Sequence, residues 1–271
     1  MPRRRKTPPK GSSLPLPFNM AASSSQNTVL DGPNQDKILE SEGTTPTDEK
    51  PMEMVVSSLS PVEQLESLPL EPVDIESIRD RRGFLTDSAI FHIMFRIMKD
   101  KLHTSPIQLA EPTWLAQWLY DNISRPSETP YFFNPNAGCD KVLAILIPFN
   151  IDNIHWTCIY VNLEKKTAVF YDSMMTVSNI LLARTIMFAF YETFKDHFQE
   201  DKSIPFRFDV ARYCEQQRDG SSCGVFTCHF MMDFLNGKDP NDPERQSATN
   251  QWDLRHYFCE ELDIPLTNPH R

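Results

Sequence analysis

Across residues 88–102 apolar side chains recur at Ile90, Phe91, Met94, Phe95, Ile97 and Met98. That spacing predicts a well-buried helix. Thr86 and Asp87 stand just before it, and their side-chain oxygens can accept from the free N–H groups of a first turn. Residues 112–122 predict a second helix, with Trp114, Leu115, Trp118 and Leu119 at helical spacing and the two tryptophans as core. From Lys141 the pattern changes. Residues 142–149 form a short, nearly continuous apolar run, which predicts a buried strand. Residues 156–163 and 168–171 predict two more, with Lys165-Lys166 a plausible hairpin tip between them. A long helix over 177–198 and a strand over 206–213 follow. Residues 222–235 are apolar around most of the helical surface, as a central buried helix should be. A last helix is expected over 250–262. Helices first, then a meander, then a helix under the sheet indicate an α+β fold.

The first 73 residues read differently. They are rich in Ser, Pro, Thr, Asn and Gln, and 11 of the chain's 22 prolines lie in residues 1–72. Such a segment buries too little apolar surface to offset chain entropy, so a disordered leader is expected over 1–73. A compact domain over 74–265 and a short tail over 266–271 complete the organisation. Apolar residues between Val62 and Leu70 are weakly periodic, enough for a transient helix or a short partner-binding segment. No apolar run approaches the ~20 residues of a membrane-crossing helix.

Formal net charge is −10; residues 1–10 carry five basic side chains and no acid, which leaves −15 on the rest. A body that acidic repels phosphates, so nucleic-acid binding is not expected. The basic head Arg3-Arg4-Arg5-Lys6 has no apolar stretch behind it and is not a secretory signal. It fits either a solubilising tail or a nuclear import signal, so the expected compartment is nuclear or cytoplasmic. Six cysteines (139, 158, 214, 223, 228 and 259) in a chain without a signal peptide point to reduced thiols. Their spacing matches no zinc site. Cys158 and Cys214 read as strand-core residues and Cys228 as packing. His92, His103, His197, His229 and His256 read as structural or surface residues.

The candidate chemistry lies in Cys214-Glu215-Gln216-Gln217-Arg218-Asp219-Gly220-Ser221-Ser222-Cys223-Gly224-Val225-Phe226. Turn and cap residues lead into a helix whose first turn contains Cys223. There a thiol meets unpaired N–H groups and the positive end of the helix dipole, which favour thiolate. Gly224 leaves room for a substrate backbone. An attacking cysteine needs a base, and the base needs an orienting group. His155 begins one expected strand and Asp172 ends the next. A four-residue hairpin loop, 162–165, would set the two directly opposite. A Lys165-Lys166 loop would set Asp172 opposite Ile159, about 13 Å along the strand from His155. The sequence leaves both open. Gln217, six residues before Cys223, could join the cysteine's backbone N–H in a two-donor oxyanion hole.

These segments resemble the Ulp/SENP type of ubiquitin-like-protein cysteine protease, distantly related to the adenovirus protease. The likeness rests on Leu85-Thr86-Asp87-Ser88, Ile147-Pro148-Phe149-Asn150, His155-Trp156, Tyr171-Asp172-Ser173 and the segment from Gln216 to Phe226, over residues 83–262. It implies a papain-like, adenain-like fold with a central mixed sheet and the nucleophile at the N-terminus of a buried helix. It implies Cys223 as nucleophile, His155 as general base and then acid, Asp172 as its orienting carboxylate and Gln217 at the oxyanion. Trp156 would cover an extended Gly-Gly tail, with Phe84 on the other wall and Gly224 beneath. The implied reaction is cleavage after the C-terminal glycine of a SUMO- or NEDD8-like modifier, through a thioester, in a monomer without metal or organic cofactor. The implied partners are that modifier and its conjugates. Members commonly carry Trp where Phe84 stands and Asp where Ser222 stands; Ser222 can still cap the helix. Polyprotein processing, acetyl transfer and catalytically idle modifier binding are the alternatives.

Overall fold

The structure is a computed structural model, and it describes residues 69–120, 130, 132, 141–198, 203–245 and 250–266. Most of the expected leader, with its basic head, lies outside the described residues, as does Cys139. Helix α1 spans Pro72–Arg79. Glu71 and Asp74 close a reciprocal capping box around its first turn, with Pro72 at a position where a missing N–H costs nothing.

Helix α2 spans Asp87–Ile97, capped as expected by the Thr86 hydroxyl, which accepts from the Ala89 N–H at 3.0 Å. The single helix expected over 88–102 is two: the chain leaves helical geometry at Met98 (φ −104°, ψ 14°), and α3 runs Lys99–Thr104. The short strand β1, Ile107–Leu109, has only three residues, too few to give a periodic signal, and was not expected. Helix α4 is Trp114–Tyr120. Strands β2 (Ala144–Ile151), β3 (His155–Asn162) and β4 (Thr167–Tyr171) form the meander. Helix α5 spans Val177–Phe194 and tightens into a 3₁₀ turn at Lys195–His197. Strand β5 is Arg207–Val210, helix α6 Cys223–Leu235 and helix α7 Gln251–Glu261.

The sheet is mixed, in the order β1-β2-β3-β4-β5, with parallel pairs at both ends and an antiparallel meander in the middle. Its faces separate by the two-residue period of a strand. Leu146, Trp156, Cys158 and Tyr171 face a core built with α2, α6 and α7. Ile145, Ile147, Phe149, Ile159, Val161, Ala168 and Phe170 face a second core that includes residues of α4 and α5. Cover on both faces explains why β2 reads as a continuous apolar run rather than an alternation. Pro148 fits inside β2 for a topological reason. The Leu146 carbonyl accepts from the Ala110 N–H on the β1 side. The Pro148 nitrogen, two residues on, points the same way, beyond the last β1 partner.

Two turns set the catalytic register. Between β2 and β3, Asp152 and Asn153 adopt left-handed φ values of 53° and 59°, which their short polar side chains tolerate. The turn delivers His155 as the first paired residue of β3, opposite Ile151. Between β3 and β4 the last pair is Asn162 with Thr167. The loop is therefore 163–166, with Lys166 left-handed and the Asn162 side chain accepting from the Lys165 N–H at 2.7 Å. Neither expected register holds. Tyr171 pairs with Cys158, so Asp172, one step beyond, stands level with Thr157. His155 lies two residues further out on the same side, about 7 Å away along the strand. That diagonal is within reach of long side chains.

Candidate active site

Cys223 is the first residue of α6 and is 1% exposed. The turn before it is held by Asp219, whose Oδ1 accepts from the Ser221 N–H at 2.8 Å and the Ser222 N–H at 2.9 Å. Burial would raise the Asp219 pKa, but these hydrogen bonds outweigh it and hold the carboxyl below its usual range. This corrects the expected cap: Ser222 occupies the N-cap position but makes no side-chain capping bond. The turn is held instead by the carboxylate of Asp219, three residues earlier, which bonds the Ser221 and Ser222 N–H groups ahead of the helix.

His155 Nε2 meets Asp172 Oδ1 at 2.7 Å. The Cys223 side chain also acts on the imidazole, favouring its protonated form. Burial, the largest single influence on His155, would depress its pKa; the bonds and charges of Asp172 and Cys223 prevail and raise it to about 9. Asp172 itself is fully buried. Burial would lift its pKa, but hydrogen bonds from His155, from Asn179 Nδ2 (3.0 Å to Oδ2) and from the Met174 N–H (2.8 Å to Oδ1) hold it below the carboxylate range. Asn179 lies in the first turn of α5, which the Thr176 hydroxyl caps. The sequence gives no sign of this contact, because it depends on where α5 starts relative to β4.

Gln217 stands in the loop between β5 and α6. Its backbone N–H donates to the Ser173 carbonyl at 2.9 Å. Its Oε1 accepts from the Ser173 hydroxyl at 2.6 Å, and its Nε2 donates to the Asp219 carbonyl at 2.7 Å. The neighbouring Gln216 donates from Nε2 to the Asp172 carbonyl at 2.9 Å. Cys214 lies in this loop rather than in a strand, and its Sγ donates to the Ala211 carbonyl at 3.3 Å. Burial pushes its thiol up to about 11. Burial also raises Cys158 and Cys228 far above the ordinary thiol range. These three are packing groups.

On the other side, Phe84 (54% exposed), Ile154 (70%) and Asn150 line a groove of about 660 Å³ that reaches Trp156. Trp156 is 3% exposed, and its Nε1 donates to the Leu85 carbonyl at 2.9 Å. Gly224 requires a correction. It is buried, and a Cβ there would meet the Leu85 Cβ at 2.9 Å. The close approach it permits is that of Leu85 to α6 rather than that of a substrate. The segment carrying Phe84 and Leu85 hangs on Arg255, a fully buried residue of α7. Its guanidinium donates to the carbonyls of Ser77 (2.7 Å), Ile78 (3.0 Å) and Gly83. Arg255 sits among Leu254, Tyr257 and Phe258, and nothing in that pattern marks it as buried. Among the described residues no group of three or more His, Cys, Asp or Glu is placed to hold a metal ion.

Comparison with known proteins adds a family to this geometry. Residues 85–256 match the Ulp1 protease family, C-terminal catalytic domain, a span that contains His155, Asp172, Gln217 and Cys223. The chain is similar to ubiquitin-like-specific protease 1 of Saccharomyces cerevisiae, 26% identical over 158 residues, or 57% of this chain and 24% of that relative. It thus spans about a quarter of that relative's length. Two solved structures are similar. One is the SUMO protease Ulp1 with its catalytic cysteine oxidised to a sulfenic acid (19% identity, TM-score 0.49, 70% of this chain and 81% of that one). The other is the C-terminal Ulp1 protease domain in complex with SMT3, the yeast ortholog of SUMO (18%, TM-score 0.46, 69% and 81%).

Proposed function

Because the chain belongs to the Ulp1 protease family, we propose that it is a cysteine protease that cleaves after the C-terminal glycine of a SUMO-like modifier. The observation that carries this is an imidazole that meets the carboxylate of Asp172 at 2.7 Å and is also held protonated by the side chain of Cys223, the first residue of α6. An imidazole raised to about 9 is protonated at neutral pH, which suits it to share charge with a thiolate and later to give up a proton. The Cys223 sulfur attacks the glycine carbonyl carbon, and the developing oxyanion takes a hydrogen bond from Gln217. As the C–N bond breaks, His155 passes its proton to the departing amine, leaving a thioester. His155 then takes a proton from water, whose oxygen attacks the thioester carbonyl. The carbon–sulfur bond breaks, the glycine leaves as a carboxylic acid that loses its proton to solvent, and the sulfur and imidazole return to their starting state. Each oxyanion donor of this kind contributes on the order of 10²–10³ in rate.

The tail of the modifier would lie in the groove between Phe84, Ile154 and Trp156. Glycine suits such a groove, having no Cβ to meet its walls. The basic head at residues 3–10 fits nuclear import. The reading is tested by offering the protein SUMO, NEDD8 and ubiquitin, each with a C-terminal vinyl sulfone. A covalent adduct with SUMO that is lost in Cys223→Ala supports it. Labelling by NEDD8 or ubiquitin and not by SUMO would move the substrate class, and labelling of Cys223→Ala would remove Cys223 as the nucleophile.

A further inference from the structure

We infer that Ser173 is a positioning residue for the reaction, one that fixes the plane of the Gln217 side-chain amide. The inference rests on Gln217 serving the oxyanion. A carboxamide presents a donor at one end and an acceptor at the other, and it turns freely about its last bond unless both ends are held. Here both are. The Ser173 hydroxyl donates to Oε1 at 2.6 Å, and Nε2 donates to the Asp219 carbonyl at 2.7 Å. Nε2 carries two N–H groups in one plane. With one committed to Asp219, the direction of the second follows from the plane, and the plane follows from two fixed ends. Ser173 also holds the Gln217 backbone, through its carbonyl, at 2.9 Å. It is 2% exposed, so water cannot readily stand in for the hydroxyl.

Ser173 also follows Asp172 directly. Asp172 orients the base through its carboxylate, and Ser173 orients the amide through its hydroxyl. One dipeptide just past the end of β4 thus sets two groups that act on the same scissile bond. Removing the hydroxyl leaves Oε1 without its donor and frees the amide to rotate away from Asp219. The remaining N–H then reaches the oxyanion only part of the time. The loss falls on the transition state, because the ground-state carbonyl needs that donor less.

The test compares S173A, Q217A and the double variant on a SUMO–aminomethylcoumarin substrate, with Cys223 alkylation by iodoacetamide as a parallel measurement. Alkylation generates no oxyanion. Expected are a loss of about tenfold in kcat for S173A with KM unchanged, a larger loss for Q217A, and no further loss in the double variant. Alkylation should keep its wild-type rate throughout. The ¹⁵N-resolved side-chain amide protons of Gln217 should shift and lose exchange protection in S173A, a readout that needs no turnover. Wild-type kcat in S173A beside an impaired Q217A would overturn the inference and leave Gln217 at the oxyanion. Multiplicative losses in the double variant, an unchanged Gln217 amide signal, or an alkylation rate that falls with kcat would overturn it too. Wild-type kcat in Q217A would instead remove the oxyanion role on which it rests.

Discussion

The two sides of Cys223 are built by different means. On one side His155, Asp172, Asn179, Ser173 and Gln217 are joined largely side chain to side chain, with separations of 2.6–3.0 Å. On the other, the Phe84 rim is held from behind through backbone carbonyls, by Arg255 at Ser77, Ile78 and Gly83 and by Trp156 at Leu85. In the first case the identity of each side chain is the geometry, and replacing one moves the others. In the second the backbone is pinned, and the exposed side chains of Phe84 and Ile154 take no part in the pinning. The polar side should therefore tolerate almost no substitution. The rim should accept changes of shape without disturbing the chemistry.

The sharpest way to break that contrast is at the sulfur. Cys223→Ala should lower turnover by on the order of 10⁴–10⁶, while a SUMO-like substrate still binds, measured by calorimetry. Appreciable turnover in this variant would remove the polar side from the chemistry altogether. Next in size is Asp172→Asn, expected to lower kcat by about 10²–10⁴. The direction of its pH effect follows from the charges. The Asp172 carboxylate stabilises the imidazolium, so the amide lets the His155 pKa fall from about 9 toward its ordinary value of 6.5. Departure of the amine needs that proton, so the alkaline limb of kcat/KM should move to lower pH. A limb that stays in place would separate it from His155. Stability carries the same signature. The raised His155 pKa contributes stability that is complete below 6.5 and lost as pH rises through about 9. The lowered Asp172 pKa contributes stability that is present above 3.8 and lost as pH falls through its folded value. The gap in unfolding free energy between wild type and variant should therefore be widest from about pH 4 to 6.5 and narrow on either side.

How much of this was legible in the sequence follows the same division. Strands β2 to β5, the long helices, the Thr86 cap and the placement of Cys223 at a helix start follow from periodicity and capping chemistry, which are local. The His155–Asp172 contact was legible as a possibility only. The hairpin register that closes it depends on Lys166 taking a left-handed conformation, and a lysine does not advertise that. Gly224 gave a correct signal of close approach and a wrong identity for what approaches, since Leu85 is 139 residues away in the chain. Ser222 looked like the cap, but its hydroxyl makes no capping bond, and it is Asp219 that fixes the preceding turn through the Ser221 and Ser222 N–H groups. Arg255 left no trace, because its guanidinium bonds backbone carbonyls, which every residue carries.

Arg255 is the third test, because it asks whether the rim really hangs from its backbone. Arg255→Met would leave the carbonyls of Ser77, Ile78 and Gly83 facing an apolar side chain. Each buried acceptor without a donor costs about 1–3 kcal/mol, and part of that is recovered by removing a buried charge. A net loss of about 3 kcal/mol is expected, read as a lower denaturation midpoint at unchanged slope. Arg255→Lys should recover little of it, because an ammonium lacks the planar fork that spans three carbonyls. An unchanged midpoint in Arg255→Met would show the segment to be held by something else, and the contrast between the two sides would lose its basis.

The smallest effect is expected at Phe84, and it bears most directly on the contrast. Phe84→Trp enlarges an aromatic ring that is 54% exposed at the rim of the groove. A wider ring would cover more of the substrate tail, adding on the order of 40 Å² of buried apolar surface, or about 1 kcal/mol at most. KM should therefore fall by up to about fivefold, with kcat unchanged, because Phe84 makes no hydrogen bond to any residue of the polar side. A tighter groove should also discriminate more strongly against a Cβ in the tail. Measured as kcat/KM for Gly-Gly against Gly-Ala tails, the preference should rise in Phe84→Trp and drop in Phe84→Ala. A fall in kcat at constant KM would mean that the rim and the polar network move as one body. Selectivity could then not be altered without also altering the rate at which the sulfur reacts.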